Sequence, residues 1–290
     1  MATFDYQTLS WPDQLRKTFH YKNMSRNIEV ESTRPLYSLS LKKLSFITVV
    51  LPLVSMLFCF VTSMIFSFEL VNTTICHVFN FCPSVSAITG ISPQRYIWRI
   101  GVALHSTPRL LLASVYFNHY VRKNKNVKEE SKSMYVHIIK WNYWFHVTEI
   151  MALVGVTYIS NKENYPVHEK IFIIFMAASI CYMLSTCVLS YMNKSSTPTY
   201  LEKLSYRTKF SLCVIIALTS VGMMYFFYKH RVYCEELAFS WFALCEYVIC
   251  FANMAFHATI IWDLPDQEIV ICPPLSHSSP NYQGMIKKNE

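Results

Sequence analysis

The run LSFITVVLPLVSMLFCFVTSMIFSF, from Leu44 to Phe68, carries no Asp, Glu, Lys or Arg. About 20 apolar residues, each rising about 1.5 Å, cross the hydrocarbon core of a bilayer as a helix. Five further runs read the same way: Tyr96–Tyr120, Ile138–Ile159, Ile171–Met192, Phe210–Tyr228 and Leu237–Trp262. The fourth and fifth are as free of charge as the first. The second holds Arg99 and Arg109, the third Lys140 and Glu149, and the sixth Glu246. An open strand edge cannot satisfy its backbone in lipid, so helices are the only reading. Pro52 and Pro108 stand inside runs, where proline can kink a membrane helix without ending it. The sequence predicts an all-α, polytopic bundle of six transmembrane helices.

Composition agrees. The 290 residues are 53% hydrophobic and only 15% charged, with mean hydropathy +0.25, against about 25% charged in soluble domains. That excludes a disordered chain and a small disulfide scaffold. The net charge of +8 reports topology and not a nucleic-acid partner. Eighteen Lys and Arg lie in the tail up to Lys43, the loops 121–137 and 193–209, and the C-terminal tail; five lie in the opposite loops. The positive-inside rule then puts both termini in the cytosol and makes 69–95, 160–170 and 229–236 lumenal. The expected organisation is a cytosolic tail (1–43), a six-helix membrane domain (44–262) and a second cytosolic tail (263–290). The first apolar run is too long for the core of a cleaved signal peptide.

Cys76, Cys82 and Cys234 all fall in lumenal loops, where oxidation is permitted. A disulfide between Cys76 and Cys234, leaving Cys82 over, is the favoured pairing; free thiols are the alternative. The sequon at Asn72 is lumenal but so close to the membrane that little use is expected, and those at Asn23 and Asn193 are cytosolic and silent. Lys287 and Lys288, fourth and third from the end, have the form of a dilysine retrieval signal of early secretory membranes, with a merely solvated tail as the other reading.

Ionisable groups inside spans are costly and point to function, unless they pair between helices. His105 and Arg109 are four apart on one face. Glu246, Asn253 and His257 share a stripe of the sixth run, and His146 and Glu149 are adjacent on the third. His105 and Glu246 each lie nine residues in, roughly 13 Å deep. Glu246 is therefore expected to orient His105 as a general base, with Asn253 as donor to a developing oxyanion. Arg109 and Glu149, both near the midplane, are expected to form a structural ion pair. Arg95, Arg99, His168 and Glu235 form a polar lumenal rim suited to a phosphate-bearing lipid headgroup; interfacial anchoring is the plainer alternative. A three-histidine metal site from His105, His146 and His257 is disfavoured by their differing depths, and no metal or other cofactor is expected. No nucleophile elbow, P-loop or zinc-protease motif occurs.

Pro83-Ser84-Val85-Ser86, Pro93-Gln94-Arg95-Tyr96-Ile97-Trp98-Arg99 and Leu104-His105-Ser106-Thr107-Pro108-Arg109 resemble the post-GPI-attachment branch of the Frag/DRAM/Sfk membrane family. His168-Glu169, Tyr233-Cys234-Glu235, Glu246-Tyr247, Asn253-Met254-Ala255-Phe256-His257 and Trp262-Asp263 extend the likeness, in order, over about 40–270. The long N-terminal tail, Cys82 and the Lys-Lys ending depart from it. The resemblance implies a Golgi or endoplasmic-reticulum membrane protein that remodels GPI anchors, reacylating lyso-GPI at sn-2 with a saturated chain. Its partners would be membrane lipids, GPI-anchored proteins and other remodelling proteins. The family supplies no catalytic residue to carry over, so the candidates above rest on depth and facing. A non-catalytic protein that presents lipid to a separate acyltransferase is the alternative; a channel or receptor is a distant third.

Overall fold

The computed structural model describes residues 36–195 and 197–272. The Asn23 sequon, most of the N-terminal tail and the Lys287-Lys288 ending lie outside the described residues. The described residues are about 79% helical. A compact unit spans Leu39–Glu268, and the described residues outside it, 36–38 and 269–272, are extended chain. Two short strands, β1 (Tyr37–Ser40) and β2 (Glu268–Ile271), pair in a two-stranded sheet.

In chain order the helices are α1 (Leu41–Phe66), α2 (Phe68–Asn72), α3 (Val85–Thr89), α4 (Gln94–Lys123), α5 (Lys132–Tyr158), α6 (Tyr165–Met192), α7 (Tyr200–Tyr233), α8 (Ala238–Ala258) and α9 (Ile260–Asp263). Among the described residues, four segments are long and apolar enough to cross a membrane: α1, α6, α7 and α8 continued through α9. The helices α4 and α5 are comparably long, but neither contains a stretch as continuously apolar as those four. Local signals set several starts. Asn164 caps α6, its Oδ1 accepting from Val167 N–H, with Pro166 in the first turn. Thr199 and Glu202 form a capping box on α7.

Each of the six long helices packs on the next, and α8 returns against α1, so the bundle closes on itself. Phe175, Tyr182, Met183, Ile216, Met223 and Phe256 fill the core between α6, α7 and α8. Tyr200, Leu218, Val221 and Met224 on α7 stay exposed, as expected of a face turned to lipid.

The stretch 73–93 departs from the sequence reading of a plain external loop. Cys82, Val85, Ile88 and Ile91 are buried. The backbone N–H groups of Phe81 and Cys82 donate to Ser240 Oγ at 2.9 and 3.2 Å, and Leu237 N–H donates to the Phe79 carbonyl at 3.3 Å. Cys76 and Cys234 are joined in a disulfide, which ties this stretch to the turn between α7 and α8. Asn72 is buried, with its amide nitrogen donating to the Phe68 carbonyl at 3.0 Å, a poor acceptor for a glycan.

Candidate functional site

Gly101 lets two helices approach closely. A Cβ there would lie 2.1 Å from Ser55 Oγ, so only glycine lets α4 meet α1 at this point. The contact runs antiparallel, Ser55 opposite Gly101 and Thr48 opposite His105. One turn beyond Gly101, His105 therefore lies against α1, with Nδ1 3.0 Å from the Thr48 carbonyl oxygen. A carbonyl only accepts. Nδ1 therefore carries the proton, and the lone pair of the neutral ring sits on Nε2. That Nε2 is buried and has no partner among the described residues.

His105 lines a cavity of about 20 Å³ with Thr48, Pro52, Arg109, His146, Asn253 and His257. This is room for roughly one water molecule. Three side chains in its wall are nearly sealed from solvent: His105 and His146 at 2% exposure and Arg109 at 5%. Each keeps one polar atom unpartnered among the described residues: His105 Nε2, His146 Nε2 and Arg109 Nε. Buried polar groups are normally paired; these three unpaired atoms belong to side chains that line one cavity.

The floor is an ion-pair network. Arg109 Nη2 lies 2.9 Å from Glu149 Oε2 and also meets His257 Nε2. Guanidinium only donates, so the His257 Nε2 lone pair is spent on Arg109; the contact to Glu149 Oε1 is the longer one, at 3.4 Å. The rings of His146, Tyr182 and His257 stack, with centroids 4.2 Å apart for His146–Tyr182 and 5.2 Å for His146–His257. His146 and His257 thus meet in the bundle, although the sequence places them at differing depths. Their nitrogens and a Glu149 oxygen lie within 4.8 Å of one another, a set a divalent ion can use in principle. Arg109 already neutralises Glu149, however, and two more positive charges beside a buried guanidinium would be uncompensated.

Two expected roles change. Glu246 does not orient His105: its Oε2 accepts from Val85 N–H at 2.7 Å, because 73–93 folds into the bundle end and brings the first turn of α3 to the carboxylate. Asn253 offers no free donor for an oxyanion, since its Nδ2 donates to Glu149 Oε1 at 2.7 Å and to Ser179 Oγ at 2.9 Å. It holds Glu149 in place instead.

At the rim, Arg95 and Arg99 converge on Glu163, at 3.8 and 2.7 Å. Arg99 also donates to the Tyr158 carbonyl at 2.7 Å and so closes the end of α5. Ser160 N–H, Ser160 Oγ and Arg99 hold the Glu163 carboxyl down at about 2. His168 has both ring nitrogens engaged, Nδ1 donating to the Ile159 carbonyl at 2.7 Å and Nε2 accepting from Ser86 Oγ at 2.9 Å. Glu235 pairs with Lys229 at 2.9 Å. His168 and Glu235 are thus occupied by protein groups, and Arg95 and Arg99 remain the rim residues that face an exposed anion.

The sequence reading missed Glu163 and Thr48. It also missed a second buried cluster, where Asp263 meets Lys209 and accepts from Ser205 Oγ at 2.6 Å and Tyr116 Oη at 2.7 Å. The Ser160-x-x-Glu163 spacing was a legible signal; a backbone carbonyl such as that of Thr48 leaves none.

The sequence pattern of the Frag1/DRAM/Sfk1/Cwh43P N-terminal domain matches residues 40–267. A Drosophila melanogaster protein named post-GPI attachment to proteins factor 2-like is 47% identical over 236 residues, covering 81% of this chain and 73% of its own. A Xenopus tropicalis protein named acyltransferase PGAP2 is 38% identical over 240 residues, covering 82% and 93%. A second Drosophila melanogaster protein, post-GPI attachment to proteins factor 2, is 32% identical, covering 79% and 87%. No solved structure matches. On the match over 40–267 and these identities, the chain belongs to the Frag1/DRAM/Sfk1/Cwh43P family.

Proposed function

We propose that the chain reacylates lyso-GPI at sn-2 with a saturated fatty acyl chain during the maturation of GPI-anchored proteins. It would do so as a six-span protein of Golgi or endoplasmic-reticulum membranes with both termini in the cytosol. The names of its relatives support the pathway. Six spans are supported by the way α4 and α5 treat their polar residues. The charges of Arg109 and Glu149 cancel inside the bundle, while Ile100, Leu104 and Leu111 of α4 and Trp141, Trp144 and Met151 of α5 are exposed.

The observation that carries the chemistry is His105 Nε2, a buried and unpaired lone pair on a side chain that lines the cavity. In the reaction it takes the proton of the sn-2 hydroxyl as that oxygen attacks the acyl carbonyl. The new C–O bond forms, Arg109 Nε–H donates to the oxyanion, and the bond to the leaving alkoxide or thiolate breaks as His105 returns the proton to it. Arg95 and Arg99 would hold the anchor phosphate in exchange for Glu163. The alternative, a protein that presents lipid to a separate transferase, is favoured by one observation: a cavity of about 20 Å³ admits an acyl carbonyl only after neighbouring helices part.

The test is rescue of cells that lack this activity. Wild-type chain should restore saturated sn-2 chains on GPI anchors, read by lipid mass spectrometry, and His105→Asn at matched abundance should not. Full rescue by His105→Asn would end the catalytic assignment.

A further inference from the structure

The proton on His105 Nδ1 is placed by a backbone carbonyl, and the reason that carbonyl is available lies one turn along α1. In an α-helix the carbonyl of residue i accepts from the N–H of residue i+4. For Thr48 that residue is Pro52, which lies inside α1 and has no N–H to give. Proline in a helix interior also crowds the carbonyl four residues back and tilts it off the axis. The Thr48 carbonyl is thus left without its helical donor, and His105 Nδ1 lies 3.0 Å from it. Thr48 and Pro52 are both buried and line the same cavity as His105. The side chain of Thr48 does not compete, since its Oγ1 donates to the Ser45 carbonyl at 2.8 Å.

We propose that Pro52 is a positioning residue: by removing the amide that would bind the Thr48 carbonyl, it makes that carbonyl the orienting group that fixes the tautomer and ring plane of His105. The arrangement does the work that a carboxylate does in a serine-hydrolase triad. Here, however, the orienting group is neutral, so no further buried charge enters the membrane. Gly101 completes it by letting α4 close on α1. The inference rests on the reading of His105 as the base, but its structural half can be tested without any activity.

Two measurements on the purified full chain decide it. In ¹⁵N-histidine-labelled protein, the resonance that disappears in His105→Asn identifies His105. It should report an Nδ1–H, Nε2 lone-pair ring in the wild type and a mixed or inverted tautomer in Pro52→Ala, whose restored N–H reclaims the Thr48 carbonyl. In acyl transfer to lyso-GPI, Pro52→Ala should lower kcat by about 10–100-fold with KM within about twofold, part of the 10²–10⁴ that a general base contributes. Its thermal stability should be unchanged or higher, because a helix-interior proline is removed. A proline needed only for structure predicts the reverse, lost stability with kcat per folded molecule kept. An Nε2–H tautomer in the wild type overturns the proposal even if Pro52→Ala fails to fold. So does a Pro52→Ala protein that keeps both tautomer and kcat. If the tautomers behave as described but not even the wild type transfers acyl chains, the positioning stands and the acyltransferase reading falls.

Discussion

Glu149→Gln isolates the electrostatics of the buried network, since it removes one charge and changes almost no volume. Glu149 is fully buried and its partner Arg109 nearly so, at 0% and 6% side-chain exposure and 2.9 Å separation. Asn253 Nδ2 also donates to Glu149 Oε1, at 2.7 Å. Neutralising Glu149 leaves the guanidinium uncompensated in a low-dielectric interior, where breaking a buried pair from one side costs about 3–5 kcal/mol. At roughly 2–4 °C per kcal/mol for a domain of this size, thermal unfolding in detergent should fall by roughly 6–20 °C. Removing both charges together, as Arg109→Met with Glu149→Leu, should recover most of the loss, because well-packed apolar replacements of a buried pair are often neutral. The assay is thermal unfolding of the two variants and the wild type in one detergent. A Glu149→Gln protein as stable as the wild type, or a double variant less stable than Glu149→Gln, would refute the reasoning.

Other outcomes follow from the same geometry. Asp263→Asn should also cost about 3–5 kcal/mol by stranding the buried Lys209, seen as lower abundance and lower unfolding temperature. Gly101→Ala should cost about 1–3 kcal/mol by pressing on Ser55 and should lower activity more than stability, by parting His105 from Thr48. Cys76→Ser with Cys234→Ser should cost about 2–4 kcal/mol, and reducing agent should shift the unfolding temperature of the wild type but not of the double variant. The Glu163 carboxyl is held at about 2, below its ordinary 4.5, so its stabilising effect is present above pH 4.5 and lost as pH falls towards 2. The stability difference between wild type and Glu163→Gln should therefore shrink across that window and be flat from pH 5 to 7. Changing Lys287 and Lys288 to Ser should move the steady-state pool outward from the endoplasmic reticulum on imaging; an unmoved pool would leave the tail as solvated charge.

The helices were readable because hydrophobicity over about 20 residues is a one-dimensional signal: all six apolar runs coincide with long helices, to within a few residues at most ends. Arg109 with Glu149 was readable for a related reason, as two unlike charges at equal depth have few other places to go. Depth alone was too coarse for the rest. It matched His105 with Glu246 because both lie nine residues in. It had no means of showing that 73–93 folds back to take the Glu246 carboxylate. Residue type alone suggests a donor role for Asn253, but its two N–H groups are committed to Glu149 and Ser179. The orienting group of His105 is a backbone carbonyl, and every residue has one; only Pro52, four residues on, distinguishes Thr48 from its neighbours.

Purified chain in vesicles with lyso-GPI and a labelled saturated acyl donor, tested separately as a phospholipid and as an acyl-CoA, addresses the central claim most directly. The account predicts label at the sn-2 position of the anchor from one donor, in proportion to the protein added, with His105→Asn slower by at least about 10². No transfer from either donor by protein that rescues cells, or equal transfer by His105→Asn, would contradict it.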